Sequence, residues 1–215
     1  MGRPREHDEA TRAALLSAAE RLIDEGGPDA ASVRAVADAV GTTTRAVYSV
    51  FGSKQGLLEA LAIRFFDELH AATDAIRLTD DPAADLVNAA MNAWRRTVLR
   101  HPSLYRLVFL HVVPDLELGP EFGQVAYDAL GQLQALVERI APGPGVHERT
   151  LAWHALTEGL ASMEVRGQML DTLNAERIWR DALEALVRGF QTDRVSEAPE
   201  ASPGRRGRRS RAAPR

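Results

Sequence analysis

Apolar residues recur at helical spacing along most of this chain, in segments that glycine and proline separate. No segment shows the apolar–polar alternation of a half-buried strand. The breaks therefore predict an all-α fold of about nine helices. We place these helices at residues 9–25, 33–40, 44–51, 54–76, 82–100, 102–113, 120–141, 147–170 and 175–194.

The composition excludes several classes of protein. No stretch approaches the roughly 20 consecutive apolar residues that a membrane helix needs, and residues 1–9 lack the apolar core of a secretory signal. Because the sequence contains no cysteine, it offers neither a disulfide nor a thiolate ligand for a metal. We therefore expect a cytoplasmic protein that makes no membrane contact.

The two short helices at 33–40 and 44–51 meet at Gly41 and have the form of a helix-turn-helix unit. The second helix of such a unit can enter the major groove of DNA. Its apolar residues Val47, Val50 and Phe51 can pack inward. A serine or threonine, the preferred N-cap, precedes each of these helices and the helix that follows: Ser32, Thr43 and Ser53.

The distribution of charge around this unit suits a phosphate-facing surface, although the formal net charge of the chain is -4. No acidic residue occurs between Asp38 and Glu59, and a carboxylate there would repel the DNA backbone. The only lysine of the chain, Lys54, lies in the first turn of the next helix. Since the helix dipole disfavours a cation at that position, we expect an external anion as its partner.

This region resembles the N-terminal domain of the tetracycline-repressor (TetR) family of transcription regulators. The residues that carry the resemblance lie between Thr11 and Leu61: Ala18-Ala19, Leu22, Glu25-Gly26-Gly27, Ser32, Arg34, Val36-Ala37, Gly41, Tyr48, Phe51, Ser53-Lys54, Leu57 and Leu58. The chain departs from the family pattern at Thr42, where valine is usual, and at Val50, where a polar residue is frequent.

The resemblance implies a set of DNA contacts and a protein partner. Thr43, Thr44, Arg45 and Ser49 would face bases or backbone, Tyr48 and Lys54 would hold phosphates, and Arg34 would reach the DNA from the second helix. We further expect a homodimer on a palindromic operator, formed by the last two helices. The apolar residues that these helices carry are Leu151, Leu156, Leu160, Met163, Ile178, Ala182, Leu186 and Phe190.

The domain boundaries follow from these assignments. We predict a flexible arm at 1–8, a helix-turn-helix DNA-binding domain at 9–55, a helical regulatory and dimerisation domain at 56–194, and a disordered Arg-rich tail at 195–215. The Arg205–Arg211 cluster of this tail is either solvated or attracts DNA without specificity. The segment His101–Phe109 resembles one subgroup of C-terminal domains in the family.

A small-molecule effector is the remaining expected partner. Aromatic and polar-tipped residues on the central helices could line its pocket, with plain core packing as the alternative: Phe66, Met91, Trp94, Tyr105, His111 and Phe122. The fourth predicted helix, which joins Lys54 to this region, offers a route for coupling.

We expect no cofactor, no metal site and no catalytic residue, because the chain lacks a nucleophile elbow, a phosphate-binding glycine loop and a zinc-helix motif. The sequence therefore indicates a homodimeric repressor that a ligand releases from DNA. The alternatives are a ligand-independent regulator and an interaction module that keeps only the fold.

Overall fold

The computed structural model describes residues 4–113, 116–169 and 172–196, with side chains for 9–113, 116–169 and 172–192. The Arg205–Arg211 cluster and most of the predicted tail lie outside these residues. Within the described residues, every regular element is helical, which confirms the all-α prediction. The nine α-helices of this part of the chain are α1 (Pro4–Gly26), α2 (Val33–Val40), α3 (Thr44–Phe51), α4 (Lys54–Asp74), α5 (Pro82–Arg100), α6 (Pro102–Phe109), α7 (Pro120–Ile140), α8 (Val146–Val165) and α9 (Ala175–Ser196).

Three helix ends differ from the predicted boundaries by more than two residues. Helix α1 begins at Pro4, inside the segment predicted as an arm, and proline at the first helical position loses no hydrogen bond. Helix α6 ends at Phe109 and not at Val113, and α8 ends at Val165 and not at Leu170. Gly167, at a φ of 65°, follows the end of α8 and accounts for its early stop.

The helix-turn-helix unit is defined by the predicted caps. The side chains of Ser32, Thr43 and Ser53 accept hydrogen bonds from the backbone N–H groups three residues later. Between α2 and α3, Gly41 has a φ of 73°, in the left-handed region that favours glycine. Its N–H points to the carbonyls of Ala37 and Asp38, which ends α2 and turns the chain into α3.

Helix α4 is the central element of the fold. It packs against α1, α3, α5, α6 and α7. Its buried side chains are Leu57, Leu58, Ala60, Leu61, Ala62, Ile63, Phe65, Phe66 and Leu69. One rigid helix therefore belongs to both the N-terminal unit and the larger helical part.

Helix α5 is continuous but contains a π-helical turn at Ala90–Trp94 between Pro82–Ala89 and Arg95–Arg100. Such turns accommodate an extra residue and are frequent at functional sites. No helix among the described residues is long and apolar enough to span a membrane.

Candidate functional site

Helix α3 separates an apolar side from a polar side. Val47 is buried, and Val50 and Phe51 are partly buried against the core, as the sequence predicts. The residues proposed to face DNA all have exposed side chains: Thr43, Thr44, Arg45, Tyr48 and Ser49. We refer to these five residues, with Arg34 and Lys54, as the α3 surface. Arg34 and Lys54 are exposed as well.

Two cations of this surface have acidic neighbours. Arg34 Nε lies 3.9 Å from Asp38 on α2, and Lys54 Nζ lies 3.9 Å from Asp29. Asp29 lies outside the acid-free stretch between Asp38 and Glu59. That stretch therefore gave no indication that the fold brings Asp29 close to Lys54. Asp29 is thus a neighbour within the chain in addition to the external anion that the sequence predicts for Lys54. Exposed pairs at this distance contribute little to stability, so both cations are free to turn towards a phosphate.

A cavity of about 390 Å³ lies between α4, α5, α7 and α8. Its lining residues are Phe66, Leu69, Thr73, Leu86, Ala89, Ala90, Trp94, Phe109, Ala126, Ala129, Leu130, Gln132, Leu133, Leu136, Leu151, Trp153, His154 and Thr157. The volume is within the range of about 300–1,000 Å³ that is typical of small-molecule sites. Phe66 and Trp94 are the two residues of the predicted pocket that line it.

The other four residues of the predicted pocket lie elsewhere. Met91 is buried in the core, and Phe122 packs edge-on against Phe66 at 5.6 Å between ring centroids. Tyr105 is fully buried and donates its hydroxyl to the carbonyl of Glu158, and burial, aided by the Glu158 charge, raises the pKa of Tyr105 to about 12. His111 is exposed because α6 ends two residues before it.

Among the cavity residues that the sequence did not identify, His154 is the one with an ionisable side chain. Its ring lies 6.3 Å from that of Trp94 and 6.5 Å from that of Phe109. Burial lowers the pKa of His154, and the negative charge of Glu158 opposes this effect only in part. The available sequence signal was its position one residue after Trp153 on α8. A single histidine among apolar residues can lie either in a packed core or at a cavity, so this signal could not identify a cavity.

Hydrogen bonds tie the start of α4 to the loop before α7. Gln55 donates its side-chain amide to the carbonyl of Glu117 at 2.8 Å, and the Glu59 carboxylate accepts from the N–H of Gly119 at 2.8 Å. Phe66, Leu69 and Thr73, farther along α4, line the cavity. The rise of an α-helix places Phe66 about 18 Å from Lys54 along the axis.

A buried polar group also joins α4 to the N-terminal unit. His101, at the corner between α5 and α6, contacts Glu20 of α1 through Nδ1 and lies 2.6 Å from Glu68 of α4 through Nε2. The distance between Nε2 and the Glu68 carboxylate is short enough for an ion pair, but the geometry is not that of a hydrogen bond. Arg64 lies 3.7 Å from Glu20 and 3.4 Å from Glu68. The sequence had placed His101 between two predicted helices and at the start of the segment that resembles a C-terminal subgroup, without indicating these contacts.

The helix-turn-helix unit and the larger helical part together have the architecture of a transcription regulator that binds DNA. Residues 15–61 match the family model of the bacterial regulatory proteins of the tetR family, and residues 87–186 match that of the tetracyclin repressor-like C-terminal domain. The chain therefore belongs to the tetR family of transcription regulators, and it is not an enzyme.

Solved structures share the fold at low sequence identity. A Rhodococcus sp. RHA1 protein of unknown function is 24% identical with a TM-score of 0.69, over 84% of this chain and 95% of that one. A tetR-family regulator from Streptomyces coelicolor is 16% identical with a TM-score of 0.69, over 91% and 92%. The TetR family regulator PfmR from Thermus thermophilus is 22% identical with a TM-score of 0.60, over 81% and 97%. No curated protein sequence matches the chain significantly.

Proposed function

We propose that this protein is a homodimeric repressor in the cytoplasm, which binds a palindromic operator and leaves it when a small molecule occupies the cavity. The observation that carries this proposal is the path of α4. Its first residue, Lys54, belongs to the α3 surface, while Phe66, Leu69 and Thr73 line the cavity. A ligand that binds the DNA-incompatible dimer more tightly would shift the protein away from its operator.

The exposure of the α3 surface supports the proposed DNA contacts. Arg45 lies one residue inside α3, near the helix start, where recognition helices contact base edges. Lys54 lies on the following helix, and we assign it to a phosphate. Thr43 already accepts a hydrogen bond from the N–H of Ala46, so its hydroxyl hydrogen remains for a contact with DNA.

The substitutions Arg45→Ala and Lys54→Ala should have different effects on DNA binding. We expect Arg45→Ala to cost about 1–3 kcal/mol of operator binding and to relax sequence preference, since a base contact is lost. Lys54→Ala should weaken operator and random DNA alike and reduce the salt slope by about one unit. Gel shifts on both DNAs over a range of salt concentrations would measure these effects.

Arg96→Ala is the matched control for this pair, because Arg96 is an exposed arginine on α5, outside the α3 surface. It should leave both affinities unchanged. A uniform loss on both DNAs in Arg45→Ala would make Arg45 another phosphate contact. Failure of the unsubstituted protein to bind any DNA from its own upstream region would refute the operator proposal itself.

The surface of α8 and α9 supports the proposed dimer. Met163 is exposed on α8, and Leu156 is partly buried on the same helix. Helix α9 adds a stripe of partly buried apolar residues at helical spacing, namely Ile178, Ala182 and Leu186. Leu160 and Phe190, which the sequence placed in the interface, are buried within the protomer. Leu151 is 57% exposed but lines the cavity.

A charge on the α9 stripe should separate the protomers. Gly189 lies on the side of α9 that carries Ala182 and Leu186, and a Cβ added to Gly189 would have no neighbour within 4 Å. We expect Gly189→Glu to change the mass in light scattering from that of a dimer to that of a monomer, because the partner surface would bury an unpaired charge. Gly123→Glu on α7, equally open in the protomer, should remain dimeric. A monomeric mass for the unsubstituted protein would contradict the dimer.

A further inference from the structure

The cavity walls contain no charged side chain: all eighteen lining residues are apolar or neutral polar. Most of the wall is leucine, alanine and aromatic rings. Transfer of an ion into such a site costs several kcal/mol unless a partner charge is present. The walls therefore select against carboxylates and phosphates.

The polar groups of the wall are largely occupied by the protein itself. Thr73 donates to the carbonyl of Leu69, and Thr157 donates to those of Trp153 and His154. The amide of Gln132 donates to Asp74, and the indole N–H of Trp94 donates to the carbonyl of Thr157. Donors to a ligand are thus scarce in this cavity.

His154 is different, since its ring makes no hydrogen bond within the described part of the chain, while it lies against Trp94 and Phe109. Its pKa is lowered by burial, which favours the neutral form of the imidazole. A neutral imidazole has one N–H donor and one nitrogen acceptor. His154 can therefore pair with a single hydroxyl or carbonyl group of a ligand.

The shape and size of the cavity limit the rest of the ligand. Phe66, Trp94 and Phe109 line the space, and Trp94 meets Phe109 edge to face at 5.3 Å. At the packing density of protein interiors, about 0.75, the cavity holds up to about 290 Å³ of van der Waals volume. Planar rings fit edge-on or offset against such walls. A molecule of two or three rings fits within this volume.

We propose that the cavity binds an uncharged aromatic molecule of two or three rings, whose one polar group forms a hydrogen bond with His154. This inference deepens the proposed function, because it names the chemical class of the effector. The cavity binding itself is testable without DNA.

The test uses three probes with the same ring system: 2-naphthol, naphthalene and naphthalene-2-sulfonate. Calorimetry on the full chain should show 2-naphthol binding about three- to tenfold more tightly than naphthalene, the gain of one net hydrogen bond. The sulfonate should show no binding at the concentrations that saturate with 2-naphthol. Equal or tighter binding of the sulfonate would overturn the proposal, as would the absence of binding by both neutral probes.

Variants at His154 separate the hydrogen bond from the packing. His154→Phe should lower the affinity for 2-naphthol to that for naphthalene and leave the affinity for naphthalene nearly unchanged. His154→Gln, which keeps a donor and an acceptor, should restore part of the preference. His147→Phe is the control, because His147 is exposed on the same helix and does not line the cavity. An unchanged preference in His154→Phe would refute the role of His154.

A separate gel shift distinguishes this inference from the proposed function. If 2-naphthol binds as described and the operator complex persists at saturating probe, ligand control of DNA binding fails while the cavity assignment stands. If the operator complex forms but no neutral probe binds, the cavity assignment fails while operator binding stands.

Discussion

Gly56→Ala should abolish operator binding and lower the free energy of unfolding by about 3 kcal/mol. A Cβ at Gly56 would overlap the backbone carbonyl oxygen of Phe51, the last residue of α3. That oxygen also accepts the N–H of Ser53 at 2.8 Å, within the turn between the two helices. Since the overlap is between backbone and Cβ, only a shift of α4 against α3 can relieve it. Urea unfolding and gel shifts would measure both effects.

Gly123→Ala is the matched control for this prediction. Gly123 lies within α7 and is exposed, and a Cβ there would have no neighbour within 4 Å. Alanine is a better helix former than glycine, so the variant should be more stable by up to about 1 kcal/mol and should bind the operator normally. If Gly56→Ala behaved in the same way, the close approach of α4 to Phe51 would not restrict residue 56.

Asp85→Ala should destabilise the protein by about 3–5 kcal/mol, the usual effect of breaking a buried ion pair. Asp85 is 3% exposed and accepts hydrogen bonds from the N–H and hydroxyl of Thr79, at 2.8 and 2.9 Å. Arg139 of α7 donates to it at 2.7 Å. The variant would leave Arg139 without this carboxylate and open a gap at the start of α5. Thermal or urea unfolding at neutral pH would measure the loss.

The same carboxylate should make stability depend on pH. Burial opposes its ionisation, but the hydrogen bonds from Thr79 and Arg139 outweigh burial and hold the pKa of Asp85 below its ordinary value of 3.8. Its stabilising contribution is therefore complete above pH 3.8 and is lost as the pH falls through the lowered pKa of the folded state. Below about pH 4, unfolding free energy should fall more steeply in the unsubstituted protein than in Asp85→Ala.

Asp181→Ala provides the comparison for an exposed pair. Asp181 lies 3.5 Å from Arg177 on α9, and both side chains are more than half exposed. Its loss should change stability by less than about 1 kcal/mol and leave the acid response unaltered. If Asp85→Ala lost as little stability as Asp181→Ala, burial of Asp85 would add nothing to the stabilising effect of its ion pair with Arg139.

The sequence predicted the helices well because their signals are local. Ser32, Thr43 and Ser53 cap their helices within three residues, and Gly41 turns the chain between α2 and α3. Asp81 likewise accepts from the N–H of Ala84 at the start of α5. Each of these features depends on a few neighbouring residues, so the residue types are sufficient to predict them.

The cavity could not be predicted in the same way, because it depends on which side of a bundle each residue faces. Tyr105 has a suitable polar tip, but its hydroxyl reaches the carbonyl of Glu158 in the core. Met91 and Trp94 both belong to the π-helical turn, and the ordinary α-helical periodicity of the sequence does not predict the altered spacing of that turn. Trp94 lines the cavity and Met91 does not. His154 was missed because nothing in the sequence separates it from a packed core histidine.

The long-range polar contacts were also beyond the sequence. Lys54 meets Asp29 across 25 positions, and His101 meets Glu20 across 81. Such pairs depend on how the helices pack against one another, and the pattern of charges along the sequence does not predict that packing. The acid-free stretch around α3 therefore predicted the charge of that helix correctly, but it did not predict which acidic residues from elsewhere in the chain lie close to it.

Helix α4 begins at the exposed Lys54 and continues along a cavity without charged walls, so in the proposed mechanism its two ends would respond to different thermodynamic variables. Phosphate binding releases counterions and weakens with rising ionic strength. Burial of the proposed ligand among Phe66, Leu69 and Trp94 would carry a negative heat-capacity change and little dependence on ionic strength. In the proposed mechanism, rising ionic strength would weaken operator binding at one end of this helix and leave ligand binding along the other end nearly unchanged.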